Sequence, residues 1–209
     1  MLIFNASTHA LGAWRHEGDA QVSGLTSFAY WKEIARACER GCLDGIFFAD
    51  TTAVHDQYGG SADTCIEYGV SWPSQDPFPL VAVMADATEH LGFGVTLSTS
   101  ATPPYLAVRR LSTLDNLSGG RIGWNIVTSY LPNAARNFGL EEQIPHDVRY
   151  EIADEFMDVV YKLGEGSWDD DAVLVDRRRG VYTDPAKVRR IDHAGEHFRV
   201  AGPHLSEPS

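Results

Sequence analysis

Leu117-Ser118-Gly119-Gly120-Arg121-Ile122-Gly123-Trp124-Asn125-Ile126-Val127-Thr128-Ser129 is the stretch whose reading decides the fold of this chain. Two successive glycines can take the left-handed backbone that closes a helix. Gly119-Gly120 therefore predicts a helix end and a turn, with Arg121 where regular structure resumes. From Ile122 to Val127 the residues are apolar or small apart from Asn125, which predicts a buried strand. Alternation puts Gly123, Asn125, Val127 and Ser129 on one face and Ile122, Trp124, Ile126 and Thr128 on the other. The second face is bulky and suits covering helices. The first is small and turns polar at its C-terminal end, as a strand does where it meets a ligand. A plain strand with one hydrogen-bonded Asn would look the same, so the neighbouring stretches have to decide.

Upstream, Pro103-Pro104 introduces a helix whose apolar positions Leu106, Val108, Leu111 and Leu114 lead to the Gly119 turn. Before it, residues 91–99 form an apolar run that becomes hydroxyl-rich at Thr96 and Ser98. Asp76-Pro77 opens a further helix, with a cap and a helix-initiating proline, extending to His90. A loop over residues 51–75 is rich in Gly, Ser, Asp and Tyr, and its length favours a functional loop over a linker. Residues 45–50 are a continuously apolar strand ending on the Asp50 carboxylate. Residues 27–40 carry a helical stripe of Phe28, Trp31, Ile34, Ala35 and Cys38 that stops at Gly41. Residues 2–4 read as an opening strand, and the loop after it gathers His9, Trp14, Arg15 and His16. Downstream of the opening stretch, residues 131–145 read as a polar loop. Residues 146–163 follow as a helix with Tyr150, Ala153, Phe156, Val159 and Val160 inward. Residues 165–209 are polar and turn-rich, with short strands expected at 172–175 and 198–200.

Strand and helix thus alternate four times, with strands expected to be covered on both faces. That pattern means an α/β fold with a parallel sheet. Doubly wound sheets and (β/α)8 barrels both place ligands at the C-terminal strand ends, where Asp50, Ser98 and Ser129 fall. No GxGxxG or P-loop follows a strand, which favours the barrel. The expectation is a partial TIM (β/α)8-type barrel. Its first four β/α units occupy residues 1–164, and residues 165–209 form an insertion or extension segment.

Composition narrows the function. In 209 residues, 17 Lys and Arg stand against 29 Asp and Glu, a formal charge of −12. Such a chain is a poor partner for nucleic acid, which needs clustered cations. The one basic run, Arg177-Arg178-Arg179, lies among aspartates and reads as a solvated loop. No apolar run approaches the roughly 20 residues of a membrane helix, and no secretory signal opens the chain. Cys38, Cys42 and Cys65 lack metal-ligand spacing, so no metal site is expected and the thiols fit a reducing cytoplasm. Cys38 and Cys42, four apart, could share a helix face.

Several segments together resemble one family. Gly12-Ala13-Trp14-Arg15-His16, Phe47-Phe48-Ala49-Asp50, Leu111-Ser112-Thr113-Leu114-Asp115, the run from Ser118 to Ser129, Asn137-Phe138-Gly139 and His146-Asp147-Val148-Arg149-Tyr150 are similar to the bacterial-luciferase-like (class C) flavin monooxygenases. Within these, the chain resembles the branch of the nitrilotriacetate, dibenzothiophene-sulfone and long-chain alkane monooxygenases. Its later part, Tyr182-Thr183-Asp184-Pro185-Ala186-Lys187-Val188 and Gly202-Pro203-His204-Leu205, resembles the alkane enzyme. Members of the family are about twice as long, so the expectation is that this chain covers the N-terminal half and stops before the fifth barrel strand.

The resemblance implies the oxygenase component of a two-component system. A separate flavin reductase supplies reduced FMN, and O2 is the co-substrate for oxygenation of a small organic molecule. It assigns Asp50, Ser129 and Tyr150 to the flavin, together with His146 and the hydroxyls of Thr96 and Ser98. Alternation independently sets Asn125 beside Ser129 on one face. Tyr130 stands where the alkane branch carries a His thought to face substrate, and His9 is a second candidate for the substrate side. A cytoplasmic homo-oligomer is expected. Two other readings stay open on the sequence: a flavin- or deazaflavin-binding module without oxygenase activity, and an inactive half-barrel that assembles with another chain.

Overall fold

Gly119 and Gly120 do close a helix, with φ of 72° and 81°, and the strand Ile122–Val127 follows as β4. The computed structural model describes residues 2–5 and 12–207. His9 lies outside the described residues. The chain divides into two compact units, one of residues 1–98 and 117–144, the other of residues 99–116 and 145–209.

The first unit is built on a parallel sheet in the order β1 (Leu2–Asn5), β2 (Gly45–Ala49), β3 (Gly92–Ser98), β4. Each strand pairs with its predecessor, and the order never reverses. A right-handed crossover at every step then winds the helices onto one face, as a barrel does; a doubly wound sheet needs a reversal. β2 and β3 are largely buried, whereas β4 is half-open, with Ile126 at 44% exposure. The expectation of cover on both faces fails at β4, where Ile126 of the bulky face stays open.

A short turn of helix, α1 (Gln21–Gly24), precedes α2 (Phe28–Arg40), which ends at Gly41 as its sequence predicts. Trp31, Ala35 and Cys38 of its stripe are buried, and Trp31 packs against Phe48 of β2 at 6.3 Å. Phe28 is exposed. Cys42 lies beyond the helix in a left-handed conformation, so it shares no face with Cys38. The 51–75 loop contains a 3-10 turn at Tyr58–Gly60 and one α-helix, α3 (Asp63–Tyr68), closed by left-handed Gly69.

α4 (Pro77–Asp86) opens as predicted, with Asp76 Oδ1 accepting from the Phe78 N–H at 2.9 Å. It stops four residues short of His90. Thr88 Oγ1 donates to the Met84 carbonyl, and Arg121 donates to the carbonyls of Ala85 and Leu91. Glu39 Oε1 accepts from the N–H groups of Glu89, His90 and Leu91. Thr88 and the distant Arg121 thus satisfy orphan carbonyls of the helix end, and Glu39 satisfies the N–H groups of the segment that leads into β3.

The second unit holds residues 104–116 of α5 (Pro104–Ser118), all of α7 (His146–Gly164), and two small antiparallel sheets. α6 (Pro132–Asn137) belongs to the first unit. β5 (Val173–Asp176) pairs with β6 (Val181–Thr183), and β7 (His193–Ala194) with β8 (Arg199–Val200). The core here is Val108, Val159 and Leu163, joined by Tyr105, Ile191, Phe198 and Val200. Glu155 of α7 fastens the β7–β8 hairpin by accepting from His193 Nε2 and from the N–H groups of His197 and Phe198, at 3.0, 2.8 and 2.8 Å. Lys162 Nζ lies 2.9 Å from His193 Nδ1 and can only donate, which leaves the ring proton on Nε2. His204 is fully buried, its Nδ1 accepting from the Ser206 N–H while Nε2 donates to Ser112 Oγ. In that tautomer His204 cannot take a proton from Ser112 through Nε2, so the pair is structural.

Candidate functional site

Parallel pairing carries the C-terminal ends of β2, β3 and β4 to the same end of the sheet. Asp50 follows the last residue of β2, Ser98 ends β3, and Ser129 lies two residues past β4. The register sets Thr96 beside Asn125, and the polar groups of the three strands are linked. Thr96 Oγ1 donates to the Phe48 carbonyl of β2 at 2.6 Å and accepts from Asn125 Nδ2 at 3.0 Å. The hydroxyls of Ser129 and Ser98 share a hydrogen bond of 2.7 Å. Thr96 and Ser98 are each 6% exposed, while Asn125 and Ser129 are half-buried. The β3 hydroxyls are therefore more deeply covered than the β4-side groups they bond.

Ser129 has φ of 58°, a left-handed conformation in which a non-glycine residue is strained, and such residues concentrate at ligand sites. Tyr130 follows it with 65% exposure. Below this rim the same faces are cut down to glycine, with Gly94 beside Gly123 in register. A methyl group at Gly94 would meet the Phe47 ring at 3.2 Å.

Asp50 is half-buried, and its carboxyl is pushed up to about 6. Loss of water is the main cause, partly offset by the Thr51 N–H and reinforced by the Asp76 charge. At neutral pH this group can either accept or, when protonated, donate.

His146 and Tyr150 belong to the second unit, one turn apart on α7. Their rings stand 4.9 Å apart, and His146 Nδ1 lies 2.8 Å from Asp147 Oδ1. Tyr150 is 53% exposed, so it is not one of the inward residues its helical spacing suggests; Arg149 is buried instead. The structure thus brings Asp50, Thr96, Ser98, Asn125, Ser129 and Tyr130 to one sheet end, and His146 to Tyr150.

A parallel, non-reversing sheet with a small polar strand-end rim agrees with a family profile, luciferase-like monooxygenase, that matches residues 6–209. The chain belongs to the luciferase-like monooxygenase family. It is 48% identical over 203 residues to the dimethyl-sulfide monooxygenase of Hyphomicrobium sulfonivorans, covering 97% of this chain and 42% of that protein. Among solved structures, a long-chain alkane monooxygenase superposes with a TM-score of 0.95 at 46% identity, over 100% of this chain and 48% of that one. A riboflavin lyase solved with modified FMN and riboflavin superposes with a TM-score of 0.90 at 41% identity, over 100% of this chain and 46% of that one. The chain spans about half the length of the relatives it matches.

α6 lies inside residues 131–145, which the sequence predicts to be a polar loop. Pro132 at its first turn and the Ala134-Ala135 pair were the available signals. This helix of the first unit holds the long loop after β2. Asn133 Nδ2 donates to the Val54 carbonyl at 2.6 Å, Asn137 Nδ2 to Thr52 at 2.9 Å, and Arg136 lies 3.6 Å from Asp56. Asn133 and Asn137 share a face at i, i+4, so the segment after Ser129 and the segment after Asp50 are tied together. Among the described residues, no cluster of His, Cys, Asp and Glu could hold a metal ion. No helix among them is long and apolar enough to cross a membrane.

Proposed function

We propose that this chain carries the first four β/α units of an FMN-dependent monooxygenase, the oxygenase component of a two-component system. In this reading residues 1–164 form the barrel half and residues 165–209 an extension ahead of a fifth strand. The observation that carries it is the polar end of β2–β4, where Asn125 and Ser129 are hydrogen-bonded to Thr96 and Ser98 above Gly123 and Asp50 follows β2 at the same end of the sheet, in a chain of this family.

The residues present fit a flavin. A flat ring needs a wall without bulk, which Gly123 supplies beside the Phe47 ring that lies over Gly94, and its edge needs fixed donors and acceptors, for which Asn125, Ser129 and Asp50 are the candidates. When bound, reduced FMN would supply the oxygen chemistry with O2. The protein's share is to bind and orient the ring, keep water out and hold protons. The Asp50 carboxyl, near half-protonated at about pH 6, can hold a proton against the ring edge. His146 and Tyr150 are assigned to the flavin as well, and Tyr130 and His9 to the substrate side. The family relatives act on different substrates by name, so the substrate is set only as a small organic molecule. A separate reductase supplies the reduced cofactor, in a cytoplasmic homo-oligomer.

Titration of FMN into the purified chain, read by quenching of flavin fluorescence and by its visible spectrum, tests this. Saturable quenching with a spectral shift is expected. No change at high micromolar FMN would end the reading for this chain. Binding without NADH- and reductase-dependent O2 uptake above the reductase's own background would favour a flavin-binding module.

A further inference from the structure

A hydroxyl has one proton to give. Thr96 Oγ1 lies 2.6 Å from the Phe48 carbonyl, which has none, so the Thr96 proton must lie between them. The same oxygen lies 3.0 Å from the Asn125 carboxamide. With its proton spent, Thr96 can only accept there, and the atom facing it must be Nδ2. Asn125 Oδ1 is therefore turned away from Thr96. It takes no hydrogen bond among the described residues, and it is not among their buried unpaired atoms. Thr96 itself is nearly sealed from solvent, with both its donor and an acceptor site engaged.

We propose that Thr96 is a positioning residue that fixes the Asn125 carboxamide with its oxygen open to the ligand, making this position an acceptor for a ring N–H of the bound flavin. The inference rests on the flavin reading above. A carboxamide free to rotate offers a donor or an acceptor with nearly the same shape, and so distinguishes little. A fixed one selects the edge of the ring that carries hydrogen over the edges that carry carbonyl oxygens. The lock is relayed across the sheet from β2 through β3 to β4, each step a hydrogen bond between neighbouring strands.

The test compares Thr96→Val, which removes the hydroxyl at nearly constant volume, with Thr96→Ser, which keeps it. The first readout needs no ligand. In 15N-labelled chain, the Asn125 side-chain amide, assigned through its loss in Asn125→Asp, is expected to show one N–H slowed in exchange with water. Thr96→Ser keeps that protection and Thr96→Val loses it. The second readout is FMN affinity. Thr96→Val is expected to weaken it about fivefold to tenfold, the worth of one oriented hydrogen bond, while Thr96→Ser stays within about twofold. Thermal unfolding of both variants separates a local change from a general loss of fold. A Thr96→Val chain that retains the protected N–H, or that binds FMN as the parent does, overturns the proposal. If the parent chain binds no FMN, the flavin reading falls, and the amide signals still decide whether Thr96 sets the orientation of Asn125.

Discussion

Burial, with the neighbouring Asp76 carboxylate, lifts the Asp50 carboxyl from an ordinary value of 3.8 to about 6, against one N–H of Thr51 that lowers it. Because the folded value lies above the unfolded one, the folded chain binds this proton more tightly. Its contribution to stability is present at low pH and is lost as pH rises from about 4 through about 6. Asp50→Asn removes the buried charge. It is expected to raise the unfolding free energy by about 2–3 kcal/mol at pH 7.5, and by less than about 1 kcal/mol at pH 4. Urea unfolding at the two pH values checks this. The same variant should bind FMN more weakly, since stability gained where function is lost marks a residue kept for its chemistry. Asp50 was legible in the sequence as a carboxylate at a strand end. Its raised affinity for a proton was not, because that depends on water excluded by residues far away in the chain.

At the scale of elements, two tethers decide where helices stop and what they hold. Arg121 donates to the carbonyls of Ser118, Leu91 and Ala85 and to Thr88 Oγ1, joining the turn before β4 to the end of α4. Arg121→Met leaves those acceptors short of a partner and is expected to cost about 2–4 kcal/mol in urea unfolding. In the second unit, hydrogen bonds from His193 and from the His197 and Phe198 N–H groups draw the Glu155 carboxyl down to about 2. Its stabilising effect is present above the ordinary value of 4.5 and is lost as pH falls toward 2. Hydrogen exchange of the His197 and Phe198 amides should therefore accelerate first within that window. Glycine is needed at residue 195, since a methyl group there would lie 2.0 Å from Glu155 Oε1 and 2.8 Å from His193 Nε2. Gly195→Ala is expected to cost about 1–3 kcal/mol and to remove the protection of the same two amides at neutral pH. Helix starts such as Asp76-Pro77 could be read locally, because a cap and its N–H are two residues apart. The early stop of α4 could not, because Glu39 and Arg121 reach it from about fifty and thirty residues away.

For the whole molecule, the open sheet matters more than the net charge of −12. β1 and β4 are the edges of the four-stranded sheet, and β4 leaves Ile126 exposed. An uncovered edge beside apolar surface pairs with other chains. Sedimentation velocity of the 209-residue chain is expected to show association that grows with concentration. Ile126→Lys should shift the distribution toward the monomer by placing a charge on the half-open face. A monomer unchanged in size across the accessible concentration range would contradict this.

The sequence by itself determined the alternation of strands and helices, the Gly119-Gly120 turn, the polar strand ends and the family, since each is written in local spacing or in short motifs. It placed Gly123 and Asn125 on one face because strand alternation has a period of two, whereas Ser129, two residues past β4 with a left-handed backbone, lies beyond the reach of that rule. Only the tertiary structure decided that Thr96 and Ser98 hydrogen-bond to Asn125 and Ser129, that α6 holds the loop after Asp50, and that Glu155 clasps its hairpin. Those relations join groups 29 to 85 residues apart, and no local pattern encodes which of many polar side chains will meet.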